Sequence, residues 1–515
     1  MTFKALVVLL AAALFLPACD SRNPAPTSTL IVNATVIDGS GADGIDAAVR
    51  FDGDRIVEIG DLVPLDGETV INAAGLVLAP GFIDSHSHHD SRMSEFRHMP
   101  GALSQGITTI VRGADGFSGD EDAFAYTSQA EFNTAFAANP AAINVASFSP
   151  HNSIRYAVMG DDSARAATAA EIAAMAELLT ADLAAGALGL ATGLEYEPGI
   201  YADTGEIIAL ARIAASFGGR YASHIRDEDD RFIDALNEVL QIGAEASIPV
   251  HVSHIKLADR EFWGTSDTIV AMLDAARKDG IEVTADIYPY ERWASDLGVL
   301  FPDKDFSNRE TAEFTFAHTA APEDIVLSFY TPNPDYNGLS IADIASQNEA
   351  DPVTTLLTLS KEADDYLRET GRTASGIIAK GMNERDVAEL MHWEYTNICS
   401  DGGNDGGHPR GYGAFPRVLG HFVRELGVLT LPEAIHKMTG LTAATLGIED
   451  RGRIAPGYFA DLVLFDPNTI ADRATMADPT AMSVGIGKAW VNGVLAWTDG
   501  QPTHRYAGRI VARAE

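Results

Sequence analysis

The chain has 515 residues, 46% hydrophobic and 21% charged, a globular composition that excludes a disordered or fibrous protein. Its formal net charge of −37 disfavours nucleic acid and anionic membrane faces as partners, because both are polyanions. The same charge obliges any acidic substrate to find a locally basic pocket, and otherwise reads as a solvated surface.

In chain order, the first element is an export signal. Lys4 supplies a short positive region, residues 5–16 are apolar but too short for a membrane span, and small residues follow. Leu16, Pro17, Ala18 and Cys19 resemble a bacterial lipobox. Residues 1–19 are therefore expected to be a signal peptide whose Cys19 is lipidated, with plain secretion as the alternative. The expected location is the periplasm or a bacterial membrane, reached only through that anchor. Cys399 is the only other cysteine, so no intrachain disulfide remains after lipidation.

Residues 20–28 are expected to form a linker. Short β-rich runs at 29–33, 34–38, 48–52, 55–59 and 69–72 follow, with a hairpin signal at Asp52, Gly53 and Asp54. Similar strands return at 461–465 and 488–497, with Asn492 and Gly493 as a turn. Residues 29–78 and 446–515 together predict one small β-sandwich built from both ends of the chain.

Between them, strands and helices alternate over 79–445. The strands are read at 76–83, 106–111, 187–191, 219–223, 249–253, 281–285 and 396–400. Thr168 and Glu171 form a capping box that opens an alanine-rich helix, and further helices are read at 231–245, 267–278, 415–426 and 431–438. This alternation, with polar residues just after the strand ends, predicts an α/β (β/α)₈ TIM-like barrel. Residues 291–345 break the rhythm and read as an insertion over the barrel mouth, or as one further barrel unit.

His86 and His88 follow the first barrel strand. Residues two apart on an extended segment face the same way, so two imidazoles there can chelate one ion. His224, His254 and Asp401 each end a predicted strand. Any one of these histidines is as readily a satisfied buried polar group, but the set is coherent and suits zinc or a related divalent ion.

These segments resemble the amidohydrolase superfamily, in its D-aminoacylase (N-acyl-D-amino-acid deacylase) branch. The resemblance rests on 79–88 (APGFIDSHSH), 105–109 (QGITT), 189–196 (GLATGLEY), 221–228 (YASHIRDE) and 253–256 (SHIK). It continues through 287–290 (IYPY), 400–402 (SDG), 408–420 (HPRGYGAFPRVLG) and 452–463 (GRIAPGYFADLV). It implies that His86, His88, His224 and His254 hold one or two zinc ions, or other divalent metals, and that Asp401 is a ligand and the catalytic acid–base group. It also implies substrate contacts at Tyr196, Lys256, Tyr288 and Arg410, with the Arg410 guanidinium on a substrate carboxylate. The implied reaction is hydrolysis of small-molecule N-acyl-D-amino acids. A dihydroorotase-like or isoaspartyl-dipeptidase-like enzyme is the nearest alternative, and a non-catalytic binding lipoprotein a more distant one.

There is one departure. Where the best-studied branch of this family has a cysteine ligand, this chain has Asp115, read either as a harder metal ligand or as a turn residue before Gly116. His89 and Asp90 are read as supporting or turn residues. His151 and His408 are read as pocket or loop residues, Asp227 and Glu228 as orienting or helix-capping groups, and Cys399 as a packed thiol.

Overall fold

The computed structural model describes residues 28–118, 125–404 and 406–514. The expected signal peptide, and the expected linker up to residue 27, lie outside the described residues. No helix among the described residues is long and apolar enough to cross a membrane.

Both chain ends build one nine-stranded sheet. Its order is Gln501–Pro502, Val494–Thr498, Ile486–Val491, Leu462–Phe465, Val77–Pro80, Thr29–Val36, Ile45–Asp52 and Arg55–Gly60, with Thr69–Asn72 also pairing with Thr29–Val36. Phe51 and Trp490 stand four strands apart in that order. A flat sheet would separate them by about 19 Å, yet their rings lie 6.3 Å apart. The sheet therefore folds over into a sandwich whose core includes Ile31, Phe51, Leu78, Leu462 and Trp490.

The apolar run at 76–83 is two strands, not one. Val77–Pro80 pairs with Leu462–Phe465 in the sandwich, and Phe82–Asp84 opens the barrel. The crossing is at Gly81, where a Cβ would lie 2.2 Å from Thr108 Oγ1, so only glycine fits. The domain boundary expected between 78 and 79 thus falls after Pro80.

Eight parallel strands form the barrel: Phe82–Asp84, Ile107–Arg112, a third described below, Gly189–Gly193, Arg220–His224, Val250–Val252, Val283–Ile287 and Thr396–Ile398. The third is split at Phe148. Asn144–Ser147 pairs with the second strand and Ser149–Pro150 with the fourth. Helices follow the strands, among them Ala169–Ala184 with the expected Thr168–Glu171 capping box. The C-terminal tail leaves the sandwich: Ile510 pairs with Val145, on the third strand where that strand does not pair with the fourth. The eighth strand meets the first just beyond their ends, where Asp401 N donates to His86 O and His88 N to Gly402 O, each at 2.9 Å.

The insertion is longer than 291–345. Arg292–Ser295, Val326–Tyr330 and Ser375–Lys380 form a separate antiparallel sheet, packed with helix Pro352–Thr370 around Leu297, Phe301, Leu327, Leu356 and Ile377. Helix Pro352–Thr370 looks in sequence like a barrel helix, but its buried stripe faces this second core. The insertion therefore reaches Lys380.

Candidate metal centre

All the candidate ligands meet at the C-terminal mouth of the barrel. His86 and His88 follow the first strand, Asp115 the second, His224 ends the fifth, and His254 and Asp401 follow the sixth and eighth. Two of them have backbones that are rare for non-glycine residues, with φ +36° at His254 and +48° at Asp401. Such strain costs of order 1–3 kcal/mol and persists only where surrounding bonds impose it.

Asp115 stands between the two histidine pairs. Its Oδ1 is 3.3 Å from His86 Nε2, 3.4 Å from His254 Nε2 and 3.8 Å from His224 Nδ1. Its Oδ2 is 3.3 Å from His88 Nε2. Asp401 Oδ1 is 3.2 Å from His88 Nε2 and 3.6 Å from His86 Nε2. His224 Nδ1 and His254 Nε2 are 3.0 Å apart. Among the described residues three donor groups result: His86–His88–Asp115–Asp401 and Asp115–His224–His254, which share Asp115, and Glu195–His224–Glu228 beside them.

These residues fit a divalent cation. Both ring nitrogens of His86 and Asp115 Oδ1 are buried without a hydrogen-bond partner, which is costly unless something else satisfies them. The donors are imidazole and carboxylate, the set that suits zinc and its neighbours. Burial alone would push the Asp115 carboxyl up, but His86, His254 and His88 hold it well below the ordinary carboxylate value. Burial lowers His224 to about 4. His254 is pulled down by burial and Lys256, yet Asp401, Glu228 and Asp115 raise it to about 9. The Asp115 carboxylate is thus kept anionic by the imidazoles placed against it.

The expected substrate residues take different positions. Tyr196 packs its ring 4.6 Å from that of His224, and its hydroxyl is 3.1 Å from Ser295 Oγ of the insertion. Lys256 Nζ donates to both oxygens of Glu228 at 2.6 Å and lies 2.7 Å from His254 Nδ1. Arg410 Nη1 is 2.7 Å from Asp401 Oδ2, and its Nη2 donates to Ala294 O at 3.2 Å. Tyr288 is buried with its ring 4.9 Å from the Arg410 guanidinium, and its hydroxyl has no hydrogen-bond partner among the described residues.

Several neighbours were not singled out from the sequence. Glu195 Oε2 is 2.7 Å from His224 Nε2, on the ring edge opposite the ligand nitrogen, and is legible only as the residue before Tyr196. Asp286 accepts from the His254 backbone. Lys304 of the insertion donates to Glu195 O at 3.2 Å and to Gly298 O at 2.9 Å. Glu228 lies at the site, whereas Asp227 accepts the N–H groups of Asp229 and Arg231, a local turn.

His89 is buried and supporting, between Ser87 Oγ and Gly411 O, each at 2.9 Å. Asp90 Oδ2 is 3.4 Å from Arg112 Nε. His408 Nδ1 accepts the Arg410 N–H at 3.0 Å. His151 is elsewhere, buried 2.9 Å from Glu206. Burial pushes the Cys399 thiol well up, as for an inert packed group.

A cavity of about 870 Å³ opens above the centre. Its floor carries His88, Asp115, His254 and Asp401, and the insertion adds Ser295, Val299, Phe306, Phe329 and Leu367 to its walls.

Comparison with known proteins places this geometry. The model of an amidohydrolase family matches residues 69–324 and 399–497. The gap between those matches lies within the insertion and its return to the barrel. A D-aminoacylase of Alcaligenes xylosoxydans xylosoxydans is 37% identical over 508 residues, covering 95% of this chain and 98% of that protein. An N-acyl-D-glutamate deacylase of the same organism is 36% identical over 501 residues, covering 94% and 96%. The crystal structure of an N-acyl-D-glutamate deacylase from Bordetella bronchiseptica, complexed with zinc and a phosphonate mimic of the tetrahedral intermediate, superposes with a TM-score of 0.82. It is 35% identical and covers 94% of this chain and 99% of that one.

Proposed function

The chain belongs to the amidohydrolase family, and from that premise we propose that it is a zinc-dependent hydrolase of N-acyl-D-amino acids, releasing a carboxylate and a free D-amino acid. The observation that carries this reading is the meeting of four histidines, Asp115 and Asp401 at the barrel mouth, with Arg410 against Asp401.

His86, His88, Asp115, Asp401, His224 and His254 would hold the metal. A divalent ion bound there supplies Lewis-acid polarisation of the amide carbonyl and makes a water acidic enough to attack at neutral pH. Asp401 accepts the proton of that water and returns it to the departing nitrogen. Arg410, whose guanidinium faces the cavity, takes the substrate α-carboxylate in competition with Asp401. It supplies positive charge that the acidic surface lacks. The insertion closes the cavity around the rest of the substrate and keeps bulk water from the scissile bond.

The test is turnover on a panel of N-acetyl-D-amino acids, their L-forms and cyclic imides, with protein loaded with zinc, manganese or cobalt. Release of D-amino acids, lost on chelation and restored by metal, is the expected result. Faster opening of a cyclic imide, or no turnover with metal bound, overturns it.

Export and lipid anchoring belong to the same proposal and rest on Lys4, the apolar run at 5–16 and the lipobox ending at Cys19. The mature protein from a bacterial host should begin at a diacylated Cys19. An intact mass without the lipid increment refutes anchoring.

A further inference from the structure

Two buried acids beneath the metal centre take no part in the chemistry above, Asp84 and Asp286. Asp84 accepts Ser400 N at 2.8 Å and the Ser400 hydroxyl, next to Asp401. Asp286, on strand Val283–Ile287, does more. Its Oδ1 accepts the His254 backbone N–H. Its Oδ2 accepts the Ser85 hydroxyl at 2.7 Å and lies 2.9 Å from His251 Nε2. The Asp286 backbone carbonyl accepts Ile255 N at 2.8 Å.

His254 is thus bracketed. The regular ladder between its strand and the next ends at the Val252–Ala285 pair. Beyond it, His254 N–H goes to the Asp286 side chain and Ile255 N–H to the Asp286 main chain. Those two bonds span the residue with φ +36°, the turn that brings His254 Nε2 to within 3.4 Å of Asp115. Ser85 immediately precedes His86, so the same carboxylate also grips the segment carrying the first histidine pair. Burying a carboxylate this deeply is costly unless donors satisfy it. Here the donors come from two barrel strands, the first and the sixth, and one is the backbone of a candidate ligand.

We propose that Asp286 is a positioning residue for the metal centre: it imposes the backbone turn of His254, so that ion affinity depends on a side chain that touches no ion. This rests on the metal-dependent reading above. Supporting groups of this kind typically govern metal affinity by 10–100-fold.

The test is competitive titration of Co²⁺ and Zn²⁺ with a chelator, together with the visible spectrum of the Co²⁺ protein. Asp286→Ala is expected to weaken both ions by about 10–100-fold and to shift the Co²⁺ bands. Asp286→Asn, whose amide oxygen still accepts the His254 N–H, is expected to recover most of that loss. Ser85→Ala and His251→Gln each remove one other partner and should change affinity little. Wild-type affinity and spectrum in Asp286→Ala would overturn the proposal. So would equal losses in Ser85→Ala and His251→Gln, which indicate packing beneath the barrel and not the hold on His254. Should Asp286→Ala not fold, Asp286→Leu decides, because it fills similar space and offers no acceptor to the His254 N–H: a loss of affinity of about 10-fold or more with altered bands supports the role, and wild-type affinity and spectrum overturn it. Wild-type protein that binds no divalent ion is a separate outcome, which overturns the metal reading and this role together.

Discussion

Asp401→Asn is expected to lower kcat by about 10²–10⁴-fold, the usual worth of a general acid–base group, while the protein stays folded and keeps bound metal. The amide preserves the shape of the side chain and an oxygen for Arg410, which sits 2.7 Å from Asp401 Oδ2. It cannot accept the proton of an attacking water. Metal survives because His224, His254 and Asp115 form one donor group without Asp401, and His86, His88 and Asp115 retain most of the other. Removing the negative charge leaves Arg410 beside a neutral partner, which in a sealed core would be strongly destabilising. Arg410 lines the cavity and also donates to Ala294 O, so the loss in melting temperature should be modest. The measurements are amino-acid release and metal content on the same sample. Wild-type turnover in this variant would remove Asp401 from the chemistry.

The largest effect on metal is expected from Asp115. Because Asp115 joins the His86–His88–Asp115–Asp401 group to the Asp115–His224–His254 group, Asp115→Ala should strip ion from each. Metal content after gel filtration should fall well below one equivalent, and activity should fall with it. Asp115→Cys should restore binding through a thiolate. That softer ligand should raise the preference for zinc over manganese relative to wild type. Metal content and activity unchanged in Asp115→Ala would make Asp115 a turn residue before Gly116.

The barrel and the histidines that meet at its mouth were legible because each leaves a mark that depends on few residues. His86 and His88 stand two apart after an apolar run, and His224, His254 and Asp401 each stand at the end of a short strand-like segment. What escaped had no such mark. The third barrel strand is broken at Phe148 and carries Asn144, Ser147, Ser149 and Pro150, a composition that reads as loop. Helix Pro352–Thr370 has helical periodicity, but periodicity does not say which core its apolar stripe will meet. Glu195 and Asp286 are two among 73 acidic residues. Their roles arise from contacts across strands that sequence spacing cannot reveal. The partner of Arg410 was hidden for the same reason, since its pairing with Asp401 depends on the loop between strand and helix.

The seam between the eighth and first strands has a thermodynamic meaning. Its hydrogen bonds are made by His86, His88, Asp401 and Gly402, so the ring of strands and the ligand cluster come into being together. An open barrel has no complete cluster, and an ion that prefers the complete cluster therefore binds the closed form alone. Free metal at 100 times its dissociation constant would hold the ring shut by about 2.7 kcal/mol. On that account the ion is a fastener as well as a reagent, and the midpoint of thermal unfolding should report metal concentration.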